Sequence, residues 1–460
     1  MLALAWGAQA LTIDVTPGGL SDRYADICNT EDSDLAIRGS ADVRDLCMFK
    51  YLSNSVKSLD LSGLKIVGYT YPSGSYMGRI SFENDEIPPY ILTGAKVDEI
   101  ILPLTTRIIG ESAFVASEIK TIEFPTSLES VGNYAFADCD MLRTARFKNA
   151  VKLGIGVFKD CDKLSDVAIE YDIIDIPAFT FDGCKSFVGK IPASVKTVGD
   201  FAYRGTAIED IDLSNMVIIG NYAFANMPYL NSVTHKEDRV GRIGKGAFFN
   251  DGALELIPSF VADTAPSTFA HTSAHLSAYI STAKVGAGAY ANNTLNDTVV
   301  LNENVKYIGS HAFRNNTSLG LINAEALKDN IPDVEPDAFS GLETEEGRYN
   351  INLHVDEPYI EDWKNHEVWG LFNVGHYTVG IDDTVADIAA PEIKIFKKGN
   401  SILVESTHDI DFVGVYSVDG MTLYESKPSA TSFEIRDIPA SGVMVVKASS
   451  AGTSRIVKLK

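Results

Sequence analysis

Between residues 95 and 342 the apolar positions follow two alternating rhythms. In the first, Ile or Val and Gly precede Ala and an aromatic ring: Ile109-Gly110-Glu111-Ser112-Ala113-Phe114 returns as Val131-Gly132-Asn133-Tyr134-Ala135-Phe136 and as Ile219-Gly220-Asn221-Tyr222-Ala223-Phe224. Further copies end at Phe248, Tyr290 and Phe313, and Val198-Gly199-Asp200-Phe201-Ala202-Tyr203 carries the aromatic step displaced. Degenerate copies end at Phe158, Phe179, Phe269 and Phe339. The ring advances by about 22 residues per step, a period typical of repeat arrays.

The second rhythm has period two. Thr121-Ile122-Glu123-Phe124 alternates polar and apolar, as do the stretches ending at Phe147, Ile169, Leu213 and His235. Such alternation predicts short half-buried strands. Pro125, Pro192 and Pro258 close them, where a missing N–H is tolerated. The repeat glycine is expected at a tight corner that needs permissive dihedrals, and the Ala beside each ring leaves room for it to turn inward. One coil of this kind cannot bury its apolar side alone, but stacked coils can. Each sealed ring then contributes on the order of 2–3 kcal/mol by area. The aromatic column is therefore core and not a ligand ladder.

The rhythm changes after residue 380. GIDDTVADIAAP, residues 380–391, is an acidic linker. Seven short alternating strands are predicted beyond it: 393–396, 401–404, 413–416, 422–424, 433–435, 443–446 and 455–459. Asp419-Gly420 marks a hairpin. That density of strands points to a compact β-sandwich.

Composition narrows the function. The 460 residues are 45% hydrophobic and 22% charged, a globular balance, with a net charge of −23. No Lys/Arg cluster is present to neutralise phosphates, which excludes nucleic acid. The acidic surface keeps an apolar-rich repeat protein soluble. Residues 1–10, MLALAWGAQA, read either as the remnant of a secretory signal ending in an A-x-A site or as a buried N-terminal strand. No other apolar run reaches the length of a transmembrane segment. Cys139, Cys161 and Cys184 recur 22 and 23 residues apart and form a column of small apolar groups, expected as thiols. Cys28 and Cys47 either pair in an oxidising compartment or stay free.

Catalytic constellations are missing. His271 and His275 form an H-x-x-x-H pair without the intervening Glu of a metalloprotease, and read as loop histidines. Gly241-Arg242-Ile243-Gly244-Lys245-Gly246 lacks the spacing and the Ser/Thr of a phosphate loop, and the repeat explains its glycines. No cofactor or metal site is expected, and the chain is read as a non-enzyme.

The pattern Ile-Gly-x-x-Ala-Phe-x-x-Cys followed by Leu-x-x-Ile-x-Phe-Pro, nearly complete over residues 108–147, resembles the BspA-like leucine-rich-repeat family. The resemblance implies a β-rich horseshoe or solenoid. Residues 17–22 and 59–63 look like the family's opening segment, and residues 359–372 like its closing coil, where Trp rings cover the last open face. It also implies a surface or secreted protein of a host-associated microbe that adheres to host proteins or other cells, and it supplies no catalytic residues. Residues 391–460 resemble the C-terminal sorting domains of type IX secretion substrates. That likeness rests on Val413-Gly414-Val415-Tyr416 with Asp419-Gly420, on Ile438-Pro439-Ala440-Ser441-Gly442-Val443 and on Ile456-Val457-Lys458-Leu459-Lys460. Met444 stands where members more often have Tyr. Asp263-Thr264-Ala265, Asp297-Thr298-Val299 and Asp383-Thr384-Val385 resemble O-glycosylation acceptors of exported proteins in this bacterial group.

The expected organisation is a signal remnant (1–10), an N-terminal cap with irregular first coils (11–75), a solenoid (76–380), a linker (381–390) and the C-terminal β-sandwich (391–460). A ligand on the sheet side would meet the outward strand residues Thr121, Glu123, Thr144, Arg146, Asp166, Asp210, Asp212, Ser232 and Thr234. The expected function is adhesion or protein–protein interaction with a host or microbial surface protein. Glycan capture by an accessory protein is the alternative, and a hydrolase the remoter one.

Overall fold

The computed structural model describes residues 11–71, 81–234, 241–254, 265–272, 278–293, 297–377, 393–398, 401–417, 422–435, 444–450 and 453–459. The signal-remnant reading, Pro258, His275, the hairpin turn at Asp419-Gly420 and the linker lie outside these. The described residues fall into two compact units, one running to Leu254 and including 265–272, the other beginning at 278.

In the first unit the strands pair in parallel, coil upon coil, and the predicted ones form except that expected before Pro192. Leu11–Val15, Asp34–Ala41, Ser58–Asp60, Glu99–Ile101, Thr121–Glu123, Thr144–Phe147 and Asp166–Ile169 lie side by side in an eight-stranded sheet, with Leu64–Ile66 pairing Asp34–Ala41. Registers are direct: Ile122 stands opposite Ala145, and Ala145 opposite Val167. The sheet stops after Asp166–Ile169, and Asp210–Asp212 pairs Ser232–Thr234 separately. The break falls at Gly189. This glycine occupies the inward position filled elsewhere by Ile122, Ala145 or Ile211, and the Phe187 ring lies 2.6 Å from where its Cβ would be. Residues 188–190 form no strand.

The Ala-aromatic turn is also hydrogen-bonded from coil to coil. The Phe114, Phe136, Phe158 and Phe181 amides donate to the carbonyls of Ala135, Val157, Thr180 and Ala202, at 2.8, 2.9, 3.0 and 2.8 Å. This spacing stacks the anchor rings. Centroids of Phe114 and Phe136 are 4.8 Å apart and nearly parallel, and the stack continues through Phe158, Phe181, Tyr203, Phe224, Phe248 and Phe269. Two expectations are corrected. The anchor of its coil is Phe181, not Phe179, and no step is displaced at Tyr203. Phe179 and Phe201 instead occupy the turn position held by Tyr134 and Tyr222, and they stack on each other at 5.0 Å.

The repeat glycine also has a different reason. The left-handed residues of the turn are two positions later, at Ser112, Tyr134, Phe201 and Tyr222, with φ between 51° and 59°. The glycine is required by close approach. A Cβ on Gly132 would lie 2.6 Å from the Glu111 nitrogen, and one on Gly220 2.5 Å from the Asp200 nitrogen. Gly156 and Gly246 do adopt positive φ, and each receives the preceding coil's tyrosine, so that an added Cβ would meet the Tyr134 or Tyr222 ring at 2.5 or 2.3 Å. Asn and Asp side chains pair amides of the next coil: Asn133 Oδ1 accepts from the Ile155 N–H at 2.8 Å, and Asp200 Oδ1 from the Asn221 N–H at 2.7 Å.

The cysteine column does more than pack. Cys139, Cys161 and Cys184 are buried thiols, and their Sγ atoms donate to the carbonyls of Phe114, Phe136 and Phe158 at 3.1, 3.0 and 2.9 Å. Cys28 and Cys47 are free and half-buried. The same column carries Asp251, fully buried, whose Oδ1 accepts the Met227 N–H at 2.8 Å while Oδ2 meets no partner. Burial holds its carboxyl well above the usual carboxylate range. Between its strands the N-terminal segment is fixed by another buried carboxylate, Asp45, which accepts the amides of Gly18, Leu20 and Asp42 at 2.7–2.9 Å.

The second unit repeats the plan. Ala278–Ile280, Asp297–Leu301, Leu319–Asn323, Asn352–His354 and Asn373–Gly375 form a parallel sheet in that order, and Tyr290, Phe313 and Phe339 stack. The closing coil behaves as expected. Trp363 and Trp369 are fully buried, Trp369 packs edge-on against Phe339, and the two indole N–H groups donate to the Lys328 and Pro332 carbonyls at 2.9 and 3.1 Å.

The C-terminal strands are antiparallel. The segments predicted separately at 401–404 and 413–416 belong to one strand, Ser401–Ser417, which changes neighbours midway. Its first half pairs Ile393–Lys398 and Ala430–Ile435, and its second half pairs Thr422–Ser426 and Met444–Ser450. Ile402, Val404, Ile410, Val413, Val415, Ile435, Val446 and Ala448 form the core.

Two outcomes follow from this packing. Phe136→Ala and Phe224→Ala should each cost about 3–5 kcal/mol, with hydrogen exchange rising in the altered coil and its two neighbours only. Glu123→Ala and Asp212→Ala should change stability by no more than about half a kcal/mol. Asp251→Asn keeps the acceptor for Met227 and removes the titration. Because the folded carboxyl titrates above its unfolded value, its contribution is favourable at low pH and declines as pH rises past about 4. Denaturation curves should show Asp251→Asn gaining on the wild type between pH 5 and pH 8; a constant difference would show that Asp251 does not titrate as argued.

Candidate interaction surface

Strand alternation turns every second side chain to solvent. Of the nine residues predicted to face outward, eight are exposed and Ser232 is half-buried, while Ile122, Ala145 and Ile211 between them are buried. The structure divides them into two patches. Thr121, Thr144 and Asp166 stand in one row across three strands, and Glu123 stands opposite Arg146 in the next row. Asp210 faces Ser232 and Asp212 faces Thr234 on the separate two-stranded sheet. Between the patches Val188, 58% exposed, is an apolar point on an otherwise polar face.

The charges are tied between coils. Lys148 Nζ lies 2.9 Å from Glu123 Oε2 and holds that carboxyl below its usual range, and Arg146 pairs Glu170. Lys120 pairs Asp98 at 2.8 Å, and Ser232 Oγ donates to Asp210 Oδ1 at 2.5 Å. Asp212 Oδ1 accepts the Ser214 N–H at 2.8 Å. Exposed pairs of this kind add little stability; they set the side chains in fixed rows. The rows offer hydroxyls and alternating charge.

Sequence reasoning missed a groove of about 480 Å³ in the first unit, lined by Val43, Cys47, Phe82, Pro88 and Ile91 with the exposed Tyr90 beside them. Its walls come from irregular coils without a period. Burial pushes the Cys47 thiol up, which suits packing and not nucleophilic attack. His271 is exposed in a left-handed turn and packs edge-on against Phe249. Asp297-Thr298-Val299 lies within a strand, and the other two such triplets extend outside the described residues. Among the described residues no group of three or more His, Cys, Asp or Glu is placed to hold a metal ion, and no helix is long and apolar enough to cross a membrane.

Parallel coils of about 22 residues with an inward aromatic column are leucine-rich-repeat architecture. The description "BspA type leucine rich repeat region" matches in six copies, over residues 85–187, 151–275 and 283–356, and the chain belongs to that family. A leucine-rich repeat protein from Bacteroides ovatus is similar in fold, with 20% identity and a TM-score of 0.50 over 75% of this chain and 92% of that one. A leucine rich cell surface protein from Faecalibacterium prausnitzii has 18% identity and a TM-score of 0.33 over 61% and 88%. No curated protein matches the chain.

Proposed function

We propose that this is an exported interaction protein that binds a host or microbial surface protein through the outward strand rows of its first unit, without a chemical step. The observation that carries the reading is the register of Thr121, Thr144 and Asp166 with Glu123 and Arg146 on adjacent strands. Rigid neighbouring strands hold these groups at fixed spacing, so an extended partner can be met by hydrogen bonds and charge without ordering a loop. Among the described residues of the two patches, Arg146 and the charged groups around it support a protein partner. Residues 391–460 are proposed to be a sorting domain of the type IX kind, folding separately from the coils, and residues 1–10 the end of an export signal.

Binding of the purified chain to immobilised matrix proteins, glycans and bacterial cells tests the first proposal. Combined Thr121→Ala, Glu123→Ala, Arg146→Ala and Asp166→Ala substitution should weaken protein binding at least tenfold and leave thermal stability nearly unchanged. Lys152→Ala with Arg242→Ala, on other strands, should not. Binding to glycans alone, or saturable turnover of a bound glycan, ester or peptide, would overturn it. For the tail, limited proteolysis should cut between residues 380 and 391 and leave two resistant fragments. Loss of the coils' cooperative melting after removal of 391–460 would refute the boundary.

A further inference from the structure

The last coil of the second unit contains a buried imidazole with one backbone partner. His354 ends the strand Asn352–His354, is 3% exposed, and its Nδ1 lies 2.8 Å from the Tyr377 amide nitrogen. The amide can only donate, so Nδ1 must be the acceptor and carry no proton. The neutral ring's hydrogen is then on Nε2, 3.6 Å from Glu325 Oε2. A second imidazole, His376, packs against it with centroids 4.8 Å apart. Its Nδ1 lies 3.2 Å from the Val355 carbonyl oxygen, which only accepts, so His376 donates there in either charge state. The two rings thus respond differently to acid. Glu325, His376 and Asp356 are the ionisable groups facing His354. Burial is the largest influence and holds its protonation below the usual histidine range; Glu325 and Asp356 oppose this, and His376 adds to it.

We propose that His354 is an acid-sensitive latch on the residues that follow the last strand. Protonation puts an N–H on Nδ1 opposite the Tyr377 N–H, two donors face each other, and the hold on Tyr377 is lost. The latched residues immediately precede the stretch of chain leading to the C-terminal strands. Because the folded imidazole titrates below its unfolded value of about 6.5, the latch is closed above that value. It opens as pH falls through the folded one.

Hydrogen exchange on the full chain, corrected for intrinsic rates and followed stepwise from pH 7.5 down to the acid limit of folding, tests the latch. Protection of the Tyr377 amide should fall at least tenfold at the pH where the His354 ring gains its proton, read from its nitrogen chemical shifts, while peptides around Phe313 and Trp363 stay protected. His354→Asn, whose Oδ1 can replace Nδ1 as acceptor, should keep Tyr377 protected across that range, and His376→Asn should remain pH-sensitive. Protection independent of pH in the wild type, equal sensitivity in His354→Asn, or loss spreading to Trp363 would overturn the proposal. Should the Asn variant misfold, nitrogen chemical shifts of His354 in the wild type decide instead. Exchange that rises together with imidazole protonation supports the latch, and exchange that rises without it refutes it.

Discussion

Adjacent coils approach to the distance of a β-sheet hydrogen bond, about 4.8 Å between strands, and they do so at the turn as well as along the strands. Most other features of the repeat answer to that spacing. Rings carried on neighbouring coils are brought face to face, with Phe114 and Phe136 at 4.8 Å. A side chain at Gly132, Gly199 or Gly220 would have its Cβ 2.4–2.6 Å from a neighbouring backbone nitrogen, so only hydrogen fits. The carbonyls of Phe114, Phe136 and Phe158 are reached from the following coils by thiols small enough to lie in the stack. Stability is then a property of interfaces between coils more than of any one coil.

Periodic features were legible in the sequence. The ring column and the strand alternation depend on one residue type at one spacing, and outside the coil of Phe181 the structure places them there; the closing tryptophans are legible only through the family resemblance. Features set by exchange between positions were harder to read. Phe179-Thr180-Phe181 offers two rings at nearly the same spacing, and the period alone does not choose between them. Cys184, three residues after Phe181 as Cys139 is after Phe136, carried the signal that settles it. Phe187 fills the space beside Gly189 at the point where the sheet ends, although the alternation alone would continue it. At the C-terminus the polar stretch Ser406-Thr407-His408-Asp409 interrupts the apolar pattern without interrupting the strand. The glycine's role is hidden in the sequence, which shows what a residue permits and not which neighbour approaches it.

The outward face is likewise a product of the repeat. Its rows exist because the register is direct, and they break at Gly189, where the sheet ends. A partner spanning both patches would cross Val188, whose exposed side chain offers an apolar contact between acidic neighbours. The face is specified by few residues per coil, so its chemistry can change without disturbing the column beneath it.

The tyrosine–glycine contacts have a different implication. Tyr134 rests over Gly156, and Tyr222 over Gly246. The same turn position carries Phe179, Phe201 and Tyr222 on successive coils, stacked ring on ring. The column of turn rings therefore runs for one coil before Gly156 and for three before Gly246, so its length is set by where a glycine closes it and not by the period of the repeat.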